Sequence, residues 1–166
     1  MAKYHIPIDV EPTYYAAIGE LVTRWGWIEN QVGVLVRELL YITKPEGHIA
    51  VDGTPLKAKT RIIATLAEYV VASDKELCIA LVNVAKDIQA FDKFRNSIVH
   101  GLWVYYPKGT KDVAIVRKEN LEQMIEPHPD KSMRDVLPKK LARLREIQNE
   151  TQRVTSALKA WKRKSA

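Results

Sequence analysis

The chain has 166 residues, with 26 Lys or Arg against 20 Asp or Glu, four His and one Cys, and a formal net charge of +6. That length suits one domain with a core of its own, 1–166, and the lone Cys78 excludes an intramolecular disulfide. No run approaches the roughly 20 apolar residues that span a bilayer, and the N-terminus lacks a signal-peptide apolar core, so a cytoplasmic protein with no membrane association is expected.

The charge is uneven. Residues 131–166 carry 11 Lys or Arg against 3 Asp or Glu, a net +8, and the first 130 residues are therefore slightly acidic. A basic C-terminal helix reads first as a solvated face and second as a collector of phosphate backbones.

Residues 1–11 read as an extended lead-in punctuated by Pro7, and Pro12 suits the first turn of a helix running to about Thr43. Ile18, Leu21, Val22, Trp25, Ile28, Val32, Leu35, Val36, Leu39 and Leu40 recur at three- and four-residue steps and form its apolar stripe. Glu29 falls inside that stripe, about 40° from Trp25 at 100° per residue. A carboxylate there needs a partner, because an isolated buried charge costs several kcal/mol.

Lys44 to Thr54 reads as a loop, and Pro55 opens a second helix to about Ala72 with Leu56, Ile62, Ile63, Leu66 and Val70 inward. Ser73 with Glu76 is a capping box for a third long helix. Its stripe of Leu77, Leu81, Val84, Ile88 and Phe91 continues through Arg95 to Ile98 and Val99, so Arg95 stands where Leu is expected. Two helices each place one charge of opposite sign on an apolar face, and Glu29 and Arg95 are expected to meet. Cys78, between Leu77 and Ile79, reads as a buried small hydrophobe, and Trp25, Trp27 and Trp103 as packing residues.

Asn96 and His100 lie one turn apart, roughly 100° to 140° around the helix from Arg95. Gly101 suits the position after a helix end, and His100 sits where the helix dipole favours its charged form. Two β-prone runs, Leu102–Tyr106 and Val113–Val116, predict a small hairpin spanning 101–118. Residues 119–132 read as irregular, with His128 a solvated loop histidine. A basic helix from Met133 to Lys164 closes the chain, with a heptad-like seam of Leu137, Leu141, Leu144, Ile147, Thr151, Val154, Leu158 and Trp161. The expected class is mainly α: about four long helices in a bundle with a small β-hairpin after the third.

Several chemistries are unsupported. His5, His48, His100 and His128 are widely spaced, the single cysteine completes no zinc set, and no glycine-rich phosphate loop or serine elbow occurs, so neither metal nor cofactor is expected. Arg95, Asn96 and His100 remain: a permanent planar cation, an amide and a neutral-pH titrator at one helix end.

R-N-S-I-V-H at the end of a helix, following R-W-G-W-I-E-N on an earlier long helix and leading through H-G-L-W into a hairpin, resembles the signature of the HEPN superfamily (higher eukaryotes and prokaryotes nucleotide-binding). The resemblance covers residues 20–105. It implies a helical bundle that homodimerises so that motif helices from two chains form one cleft. Active members are metal-independent endoribonucleases found among toxins of toxin–antitoxin pairs, abortive-infection proteins and CRISPR-associated nucleases; RNA and an antitoxin or other protein are the partners implied. Carried onto this chain, Arg95 and His100 would be the catalytic pair, Asn96 the polar residue beside the Arg, and Glu29 a support. The alternative is a non-catalytic HEPN-like module that binds nucleic acid or a protein through the motif cleft or the basic last helix.

Overall fold

In the computed structural model, which describes residues 11–42, 44–105, 113–116 and 133–165, the chain is mainly α-helical. Helix α1 spans Pro12–Leu40, α2 Lys44–Val51, α3 Leu56–Val70, α4 Lys75–His100 and α5 Met133–Ser165; strands β1 (Leu102–Tyr105) and β2 (Val113–Val116) lie between α4 and α5. The lead-in, the hairpin loop and the segment holding His128 fall outside the described residues.

The chain divides into two compact units, one of residues up to Thr23 with Asp92–Leu144, the other of Arg24–Phe91 with Arg145–Ala166. In the first unit Tyr14, Leu21, Ile98, Met133, Leu137, Leu141 and Leu144 are buried. Tyr14 meets Trp103 edge to face, with centroids 6.1 Å apart. The Trp103 indole donates to the Ile98 carbonyl at 3.1 Å, using one of the four carbonyls that a helix end leaves without an internal partner. The two strands pair antiparallel, Leu102 opposite Val116 and Tyr105 opposite Val113.

In the second unit Trp25, Ile28, Val32, Leu35, Val36 and Leu39 of α1 are buried, as are Leu81, Val84, Ile88 and Phe91 of α4 and Ile147, Val154 and Leu158 of α5. Trp25 stacks on Phe91 at 5.6 Å. Thr60 and Thr151 are fully buried polar residues whose hydroxyls are satisfied. Thr151 Oγ1 donates to the Ile147 carbonyl at 2.7 Å, and Thr60 Oγ1 accepts from Gln89 Nε2 at 2.7 Å.

Five local expectations are corrected. Lys44–Val51 is a helix, not a loop. Pro45 stands in its first turn, where an N–H has no intrahelical acceptor and its absence costs nothing. The α4 cap is Asp74, whose Oδ1 accepts from the Leu77 N–H at 3.0 Å, so the capping position is one residue later than the Ser73–Glu76 spacing predicts. The inner face of α3 is centred on Thr60, Ile63 and Ala67, not on the larger Leu56, Ile62 and Leu66, which are half-buried. Small and hydrogen-bonded residues fill the tight contact that hydrophobicity alone would not assign. Val22, Leu40 and Val99 are exposed, each lying about 100° past a buried neighbour (Leu21, Leu39, Ile98). Cys78 is half-buried, not buried.

The end of α1 is unusual. Ile42 N–H bonds the Arg37 carbonyl at 3.1 Å and Tyr41 N–H the Glu38 carbonyl at 3.3 Å, the two bonds of a Schellman motif. Tyr41 therefore occupies the left-handed position with φ 56°, where Gly or Asn is the rule.

Candidate functional site

The last two turns of α4 carry Asp92, Arg95, Asn96 and His100, all in the first unit. Arg95 follows Phe91 by one turn, so its stem continues the apolar face and is half-buried. Its guanidinium reaches the exposed residue beside it. Nη1 donates to Asn96 Oδ1 at 2.7 Å, and Asn96 Nδ2 donates to Asp92 Oδ2 at 3.2 Å. Asn96 is exposed, and so is His100, the last residue of α4. Four residues along a helix is a rotation of about 40°, so the imidazole stands one turn beyond the amide on the same face. Ser97 is turned to its own helix, its Oγ donating to the Lys93 carbonyl at 2.8 Å. The motif thus forms a polar row, Asp92–Asn96–Arg95, with an exposed histidine at its C-terminal end.

Glu29 belongs to the second unit, where its Oε1 accepts from the Trp25 indole at 2.9 Å. That bond gives a carboxylate inside an apolar stripe one specific donor. The pairing of Glu29 with Arg95 stands as an expectation from the helix patterns.

A second charged cluster lies wholly in the second unit and was not singled out by sequence. His48 Nδ1 lies 2.6 Å from Asp52 Oδ2, and Arg37 Nη1 donates to Asp52 Oδ1 at 3.2 Å. With Glu29, Asn30, Gly33 and Lys59 these residues line a small concavity of about 260 Å³. The hydrogen bond from the His48 ring, aided by the charges of His48, Arg37 and Lys59 and opposed by burial, holds the Asp52 carboxyl below its ordinary 3.8. Arg37 is 13% exposed because its stem runs over Gly47, where a Cβ would come within 2.7 Å of the Arg37 Cγ. The signal was present as H-I-A-V-D, a His and an Asp four residues apart, but it carries meaning only on a helix, and this stretch reads as a loop by its Pro and Gly.

Among the described residues no group of three or more His, Cys, Asp or Glu side chains is placed to hold a metal ion. No described helix is long and apolar enough to cross a membrane. The chain matches no protein-family model, no curated protein and no solved structure.

Proposed function

We propose that this chain is a metal-independent endoribonuclease of HEPN type that acts as a homodimer. The observation that supports the reading most is the turn of the Arg95 guanidinium, through its 2.7 Å bond to Asn96, onto the exposed face that also carries His100. A cation with several donors and a titratable ring on one open helix end are the two groups that transesterification of a ribose phosphodiester requires.

In this mechanism the ribose 2′-OH attacks the adjacent phosphorus and the P–O5′ bond breaks, leaving a 2′,3′-cyclic phosphate and a 5′-OH. His100 of one copy takes the 2′-OH proton, and the same residue of the second copy delivers a proton to the departing 5′-oxygen. Arg95 stabilises the charge that builds on the non-bridging oxygens, and Asn96 holds the guanidinium in place. The nucleophile is built into the substrate, so no metal-activated water is required, and DNA, which lacks the 2′-OH, is not cut.

Incubating the purified protein with end-labelled single-stranded RNA in EDTA tests the proposal. Cyclic-phosphate products from the wild type and their loss with His100→Ala are expected. No cleavage by the wild type, or equal cleavage by the variant, overturns it.

A further inference from the structure

The corner of the second unit where α1 ends against the C-terminal turns of α5 is an open cleft of about 610 Å³ lined by Glu38, Tyr41, Lys159, Lys162 and Arg163. Three features of it have no part in the motif at the end of α4. The first is Tyr41 itself. It keeps a side chain at φ 56°, a backbone state that glycine adopts without strain and that a Cβ makes costly. Yet its ring is not buried as compensation: Tyr41 is 60% exposed.

The second feature is the cation on the ring. Lys162 Nζ stands 4.2 Å from the Tyr41 centroid, and the same ammonium donates to the Glu38 carbonyl at 2.9 Å and to Glu38 Oε2 at 2.8 Å. Lys162 thereby adds a second donor to the Glu38 carbonyl that the Tyr41 N–H already bonds, neutralises the Glu38 carboxylate and covers one face of the tyrosine. The third is the remaining charge. Lys159 and Arg163 are exposed, one turn apart on the same face of α5, with Lys164 following. Glu38 being matched by Lys162, the cleft retains a positive excess from these residues.

We propose that this cleft binds single-stranded nucleic acid, one base stacking on the open face of Tyr41 while flanking phosphates rest on Lys159 and Arg163. An exposed aromatic held flat beside cations is the combination by which single strands are bound without sequence readout: every base has a π-face, and every linkage a phosphate. An acidic peptide would use the cations but has no need of the ring, and it is the strained, exposed ring that favours a nucleobase. The site goes beyond the nuclease reading and does not depend on it, since binding is measured on uncleaved strands.

The test is fluorescence anisotropy with a labelled 12-nucleotide single strand, DNA and RNA in parallel, on the His100→Ala protein. Tyr41→Gly is the decisive variant: removing the Cβ relieves the left-handed strain and raises Tm, while loss of one stacking contact weakens binding about ten-fold. Tyr41→Phe retains binding. Lys159→Gln with Arg163→Gln weakens binding and flattens its dependence on log salt by about 1.4, the slope expected of two phosphate contacts on a single strand. Binding unchanged by Tyr41→Gly, or polyglutamate competing as well as the oligonucleotide, overturns the proposal. Because every arm carries His100→Ala, failure of cleavage by the wild type leaves this outcome unaffected.

Discussion

Arg95 donates a 2.7 Å hydrogen bond to its neighbour Asn96, whose own amide donates to Asp92 at 3.2 Å, so the cation of the motif is held by a side chain on the exposed face of α4. If Arg95 acts on the phosphoryl oxygens, Asn96 is its positioning residue. Asn96→Asp converts the bond to an ion pair and draws the guanidinium from the substrate. Single-turnover RNA cleavage is expected to fall by about 10²-fold, the usual loss for one charge-stabilising contact. The variant also loses the amide bond to Asp92 and sets a like charge one turn from it, but both groups lie near solvent, so Tm should fall only slightly, and a collapse in stability would count against a positioning role.

The N-terminus of α4 offers a prediction that separates sequence pattern from structure. Asp74 accepts from the Leu77 N–H, and its loss in Asp74→Ala is expected to cost about 1 kcal/mol in urea denaturation. Ser73→Ala, at the position the capping-box spacing singles out, should stay within about 0.5 kcal/mol of wild type.

Gly47 illustrates how packing can reverse a propensity. Alanine is the better helix former by about 1 kcal/mol, but its Cβ would overlap the stem of Arg37. Gly47→Ala is therefore expected to destabilise the protein and to pull Arg37 from Asp52. In an Arg37→Ala background the same substitution should stabilise by roughly 0.5–1 kcal/mol, and a double-mutant cycle by chemical denaturation reads the sign change.

Asp52 carries a pH dependence whose sign follows from its partners. Its carboxyl is held below the ordinary 3.8 chiefly by the His48 hydrogen bond, so its contribution is complete above that value and is lost as pH falls through the lower folded value. The Tm difference between wild type and Asp52→Asn should be largest near pH 5, where His48 carries its charge and Asp52 is ionised, and should shrink as the pH falls below about 3.8. A difference that keeps growing below that value would contradict the assignment. Asp52 is solvent-exposed, so the effect is small and should fade in molar salt.

Much of the helical layout is legible in sequence because it depends on local periodicity. The seam of α5 illustrates this: Leu137, Leu141, Leu144, Ile147, Thr151, Val154 and Leu158 are all buried, and Trp161 is half-buried. Edges of stripes are less legible. Val22, Leu40 and Val99 belong to the pattern yet face solvent, because exposure is decided by what packs alongside and not by spacing.

Of the candidate site, sequence alone determined which residues share the end of α4 and that Asn96 and His100 share a face, since 100° per residue is a property of any α-helix. Helix geometry leaves the end of the Arg95 side chain undetermined, since a long flexible side chain on an apolar stripe can snorkel either way, and the structure puts its Nη1 on the adjacent Asn96. Tertiary structure alone decided the His48–Asp52–Arg37 cluster, which needs α2 to form and α1 to lie against it, and the placing of Tyr41 beneath Lys162, 121 positions apart in sequence and 4.2 Å from ring to ammonium. Periodicity is written into neighbouring residues; contacts between distant ones exist only once the chain has packed.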